Sequence, residues 1–141
     1  MRQRSADAHL VPVFLENAQG FLRAGSEGPE PEAWAPRAQM LCCAIELALK
    51  AALIANGWTD DQNRREIRHD LMRGLKAATG AGLKVRNDRT QAVVAALSPR
   101  YARHELDDMA KDAGRPSLVD CAAVARDLLD DCRAFADVVE A

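Results

Sequence analysis

"RAQMLCCAIELALKAALIAN" spans residues 37–56 and decides the fold class. Its Leu41, Ile45, Ala48, Leu49, Ala52 and Leu53 recur every three or four residues, the spacing that lays an apolar stripe along a helix. Glu46 and Lys50 stand four apart on it, in the order that favours a helical ion pair. Gly57 follows at once, the residue type that most readily takes the left-handed backbone of a helix end.

The flanking sequence reads the same way. A first helix starts near Pro12 and turns Phe14, Ala18, Phe21 and Leu22 to one side. "AGSEGPEPEAWAP" (24–36), with its prolines and glycines, reads as a flexible linker to the next helix. Beyond Gly57, a third helix opens at His69–Asp70, carries Leu71, Leu75 and Ala78 inward, and stops at "TGAG". Asp88 with Gln91 resembles a capping box for a fourth helix through Val94 and Leu97. "SP" at 98–99 kinks that helix or starts another, with Ala102, Leu106, Met109 and Ala113 inward. Ser117 caps a long last helix whose stripe is Cys121, Val124, Leu128, Cys132, Phe135 and Val139. No segment sustains a strand alternation. The expected fold is all-α: an antiparallel up-and-down bundle of four or five helices, one domain over residues 1–141.

Hydrophobic residues make up 48% of the chain but aromatics only 4%, so Ala, Leu and Val must build the core. No apolar run approaches the roughly 20 residues of a membrane span, and no secretory signal opens the chain. The expected setting is the cytoplasm, which the four cysteines also suit. Cys42 and Cys43 are adjacent and diverge by about 100° on a helix, while Cys121 and Cys132 lie about 16 Å apart along one. All four are expected as small buried residues. With neither CxxC nor HExxH present, no metal site and no cofactor is expected.

The net charge of −2 hides a strong asymmetry. Residues 1–61 carry five Lys/Arg against eight Asp/Glu, residues 62–104 ten against three, and residues 105–141 four against ten. The middle is therefore basic by seven and the end acidic by six. In an up-and-down bundle the third helix falls about 16 Å from His69 and the fourth climbs as far from Asp88 to Ser98. Arg64, Arg65, Arg68 and His69 then share one rim with Arg100, Tyr101, Arg103 and His104. Arginine forks grip phosphate oxygens, and imidazole moves protons near neutral pH. Arg65, Arg68, Arg100, Tyr101 and Arg103 are accordingly the candidate RNA- or phosphate-binding residues, and His69 with His104 a candidate acid–base pair.

The chain from 37 to 106 resembles the HEPN (higher eukaryotes and prokaryotes nucleotide-binding) domains. The resemblance rests on "ELALKAALIANGW" (46–58), a short polar loop, "HDL" (69–71) and "VVAALSPRYARHEL" (93–106). It implies a helical bundle that dimerises and binds RNA or a nucleotide, in some members cutting RNA without a metal in toxin–antitoxin or defence systems. An antitoxin is then the implied protein partner. Catalytic members carry Arg-x(4–6)-His, a spacing that Arg64 and His69 meet. Arg65 stands where such members commonly have Asn, and Arg100 with His104 is one residue too close for the motif.

Plainer readings stand beside these. His69 can simply start a helix, Asp70 complement its dipole, Lys50 snorkel to water and Trp58 cover the end of the core. The alternative function is a non-enzymatic interaction module, its basic rim meeting the acidic segment 105–141 of a neighbour.

Overall fold

Helix α2 (Trp34–Ala55) is the axis around which the other elements pack, and 14 of its 22 residues are buried. The stripe read from the sequence is only part of what it hides. Ala44, Ala51 and Cys42 lie off that stripe and are fully buried too, because small side chains let neighbours close in from several sides. α1 (Leu10–Ser26) and α7 (Leu118–Glu140) cover two of these sides. The computed structural model describes residues 4–28 and 33–140, the last by its backbone alone.

Among the described residues the regular structure is entirely helical. Between α2 and α7 lie α3 (Asp60–Gln62), a π-helical turn (Asn63–Ile67), α4 (Leu71–Gly80), α5 (Thr90–Ala102) and α6 (Leu106–Met109). α4 begins where expected, with the Asp70 side chain accepting from the Arg73 backbone N–H at 3.0 Å. α7 does too, with Ser117 Oγ accepting from the Asp120 N–H at 3.1 Å.

Other expectations need correction. The stretch 24–36 is not one linker: residues 24–26 end α1, and Trp34 starts α2 fully buried. The Trp34 indole donates to Pro116 O at 2.8 Å, and that anchor extends the helix three residues back from Arg37. Residues 29–32 lie outside the described residues. The capping box sits at Thr59–Gln62 rather than at Asp88–Gln91; α5 starts from Arg89 without a side-chain cap. α5 runs through Pro99 to Ala102, so the proline does not start a new helix.

The simple alternation of directions also fails at one place. α1 runs antiparallel to α2, with Val11 beside Ile54 at one end and Arg37 Nε donating to Gly25 O at the other. α7 instead runs in the same direction as α2. Their starts meet through Trp34 and Pro116, and their ends through Ile54 and Ala136. The long excursion through α3 to α6 gives the chain room to return to the start of α2 before α7 begins.

α2 corrects one more expectation. By length and composition it is apolar enough to cross a membrane, with a mean hydropathy of 1.7, although 67% of that window is buried in the bundle. Its two internal charges, Glu46 and Lys50, pair at 3.1 Å and are largely shielded.

Candidate acid–base site

Three helices end in the same hydrogen-bond pattern, and the exception among them marks the site. α2 closes with Gly57 N–H on Ile54 O and Trp58 N–H on Leu53 O, and Gly57 has a φ of 109°. α4 closes with Gly82 N–H on Thr79 O and Leu83 N–H on Ala78 O, and Gly82 has a φ of 112°. Both are Schellman ends, in which glycine takes the left-handed residue without a Cβ clash. α5 makes the same pair of bonds, His104 N–H on Tyr101 O and Glu105 N–H on Arg100 O, but its left-handed residue is His104, with a φ of 60°. A non-glycine residue in that conformation costs about 1–2 kcal/mol. Such strain collects at functional sites.

The second exception lies opposite. Arg68, with a φ of 55° and ψ of −117°, is the other non-glycine residue of positive φ among the described residues, and it directly precedes His69. Its N–H bonds Asn63 O at 2.9 Å, the five-residue step of a π turn. Asn63 is fully buried and donates to Lys50 O at 3.3 Å, which pins the turn to α2. π turns inside helices often sit at functional positions. Here the wide turn and the strained Arg68 together deliver His69 to the side of α2.

What they deliver it to is Glu46. His69 Nδ1 lies 2.8 Å from Glu46 Oε1, and the Tyr101 hydroxyl donates to the same oxygen at 2.9 Å. Lys50 Nζ donates to Oε2 at 3.1 Å. An ionised carboxylate only accepts, so the hydrogen shared with His69 belongs to Nδ1 and the basic lone pair to Nε2. The His69 side chain is 56% exposed and that of Glu46 only 11%: a buried carboxylate orients an imidazole that solvent can reach. The His104 ring stands edge-on to His69 with centroids 6.4 Å apart, and Tyr101 approaches from another side at 6.0 Å. Burial, and then Glu46, push the Tyr101 hydroxyl well above its ordinary range, so it remains a donor.

These groups line a cleft of about 310 Å³ together with Phe21, Gln39, Cys43 and Leu47. Two imidazoles side by side, one oriented by a carboxylate, can take a proton and give one at neighbouring atoms of a bound molecule. No family model matches the chain, nor does any curated protein or solved structure. Among the described residues, no three His, Cys, Asp or Glu side chains are grouped to hold a metal ion.

His69, Tyr101 and His104, from the two basic stretches, thus come together, but on the side of α2 at Glu46, halfway along the helix, and not at the end of the bundle where helix lengths place them. The arginines around them face acids instead. Arg64 pairs with Asp60 at 2.8 Å and Arg65 with Asp61 at 2.9 Å, each one helical turn back. Arg100 pairs with Asp112 at 3.2 Å, and Arg103 stands 3.9 Å from Glu105. Arg68 makes no ion pair among the described residues. Tyr101 is buried, and what it offers the cleft is its hydroxyl. Farther off, Arg86 holds the buried Asp131 at 2.5 Å and Arg89 holds Asp120 at 2.7 Å, tying the segment before α5 to α7. Four acids of the acidic end, Glu105, Asp112, Asp120 and Asp131, therefore pair with arginines of the basic middle within one molecule. Glu46 is the residue the sequence reading missed. Its pairing with Lys50 already accounted for it, and His69 lies 23 positions away.

Proposed function

We propose that the protein is a HEPN-like helical domain that binds RNA and cleaves it without a metal ion, with His69 and His104 as the acid–base pair. The observation that carries this reading is the Glu46–His69 hydrogen bond at 2.8 Å, with His104 beside it in one open cleft. The resemblance of residues 37–106 to HEPN domains supports it independently.

In such a reaction one imidazole takes the 2′-hydroxyl proton, and the freed oxygen attacks the adjacent phosphorus. The P–O5′ bond breaks, and the other imidazole protonates the leaving oxygen. The products are a 2′,3′-cyclic phosphate and a 5′-hydroxyl, and the two histidines have exchanged protonation states. Arg68, without an acidic partner, is the first candidate to hold the phosphate. The Arg64, Arg65 and Arg103 pairs are exposed, and exposed pairs contribute only about 0–1 kcal/mol. A phosphate can therefore draw these arginines away from their carboxylates. A homodimer, acting in the cytoplasm against an antitoxin-like partner, belongs to the same reading; light scattering at micromolar concentration tests the dimer.

The experiment is cleavage of a single-stranded RNA with and without EDTA, followed by analysis of the ends. The expected result is cyclic-phosphate product in both, lost with His69→Ala and with His104→Ala while the helical circular dichroism persists. Cleavage that needs a divalent ion, or that survives both substitutions, overturns the reading.

A further inference from the structure

The geometry points to a nucleobase subsite in the apolar half of the same cleft, an inference that rests on the RNA reading above. Glu46, His69, Tyr101 and His104 supply its acid–base groups; Phe21 of α1 and Leu47, Cys43 and Gln39 of α2 complete the lining, with Cys43 Sγ 3.6 Å from the Tyr101 hydroxyl. An acid–base pair acting on a bare phosphodiester needs no apolar wall, so this wall calls for a ligand part that is flat and poorly hydrated. Gln39 lies seven residues before Glu46, about 10 Å along the helix. That is comparable with the reach of one nucleotide from its phosphate to the edge of its base.

Gln39 is also short of partners. Its side chain makes, among the described residues, one 3.7 Å hydrogen bond from Nε2 to Cys43 Sγ, a weak acceptor. One N–H and the amide oxygen remain for a base edge, the donor–acceptor pair that amides use to read bases. Phe21 is half-buried against the core and presents an aromatic surface to the cleft. At about 310 Å³ the cleft stands at the small end of ligand sites, which suits a single base and its ribose. RNA recognition of this kind takes unpaired bases that stack on aromatic rings and hydrogen-bond through their edges. The substrate class is therefore single-stranded RNA with one base lodged between Phe21 and Gln39, next to the bond to be cut.

The test compares an intact single-stranded RNA with the same strand made abasic at the cleavage position. Wild-type protein should cleave the abasic strand at least tenfold less efficiently. Phe21→Ala and Gln39→Ala should each lower kcat/KM on the intact strand by roughly tenfold, the scale of one lost stack, and leave the abasic strand unchanged. Thermal melts guard against loss of fold in the Phe21 variant, and Gln39→Ala repeats the test at a site that disturbs no core. Variants that slow both strands equally overturn the inference and leave the acid–base reading intact. If the wild type cuts neither strand, nuclear magnetic resonance titration with a nucleoside 3′-monophosphate and with ribose phosphate decides. Binding of the first alone keeps the base subsite and removes the nuclease; binding of neither, or of both equally, removes the subsite.

Discussion

Two polar seams hold carboxylates in this bundle, and they hold them in opposite ways. Between α7 and the segment leading into α5, Asp131 and Asp120 are gripped by Arg86 and Arg89, and Asp127 by Asn87 at 2.9 Å. On α2, Glu46 is gripped by His69, Tyr101 and Lys50. Guanidinium stays charged throughout the accessible pH range, so the first seam is a fixed clamp. Asp131 strengthens this by raising the Arg86 pKa through their hydrogen bond. Imidazole can lose its proton, so the second seam can exchange protons with whatever enters the cleft. The backbone agrees with this division: the two non-glycine residues of positive φ among the described residues, Arg68 and His104, both flank the second seam. The same carboxylate chemistry thus serves cohesion in one place and, in the proposed reading, reactivity in the other.

The sharpest way to break this comparison is to remove one member from each seam. His69→Ala should lower kcat/KM on single-stranded RNA by about 10²–10⁴-fold, the range of general acid–base catalysis. Arg89→Ala should change it by no more than about twofold, because its pair with Asp120 is exposed. Equal losses in the two variants would erase the distinction.

A second expectation concerns stability in alkali. Burial raises the thiol pKa of Cys42 and of Cys132 well above the ordinary range. Both thiols are neutral, folded or unfolded, below about pH 8.5, so their full contribution is present there. Above it the unfolded chain loses protons that the folded chain keeps. Stability should then fall by about 1.4 kcal/mol per pH unit for each thiol. Chemical denaturation between pH 7 and 10 reads this slope, and Cys132→Ala should reduce it.

Tyr101→Phe removes one of the three donors to Glu46 and should cost about 1.5 kcal/mol, the lower range for a hydrogen bond to a charged acceptor. Urea denaturation checks it; an unchanged midpoint would mean that the hydroxyl only lines the cleft. The smallest effect runs the other way. His104→Gly relieves left-handed strain of about 1–2 kcal/mol against glycine's extra unfolded-state entropy of about 0.5–1 kcal/mol. The protein should gain up to about 1 kcal/mol while losing RNA cleavage. A variant that is less stable would show that His104 is held there for cohesion.

The parts of the fold legible in the sequence were those set by local spacing. The α2 stripe, the Asp70 and Ser117 caps and the glycine ends at Gly57 and Gly82 all act within one or two helical turns. The direction of α7 was not legible, because it depends on where a long excursion brings the chain back. Nor were the pairings of Arg100 with Asp112, Arg89 with Asp120 and Arg86 with Asp131, which join residues 12 to 45 apart. Helix lengths brought His69 and His104 together, but at the end of the bundle instead of beside the middle of α2. The acid that orients His69 was not legible, since Glu46 carried a sufficient local explanation in Lys50.

The π turn at Asn63–Ile67 gives the site an unusual kind of address. A π turn is an α-helical turn that has accepted one more residue, and one residue on a helix is about 100° of azimuth. His69 faces Glu46 because the chain between Thr59 and Asp70 has its present length, whatever side chains fill the exposed positions. Deleting a single residue there, at exposed Arg65 for example, should let α3 continue as ordinary helix and swing His69 away from α2, with the α1–α2–α7 core untouched. Chain length between two fixed points thus sets where His69 points, and a one-residue indel within 60–68 should abolish the proposed cleavage where nearby substitutions are tolerated.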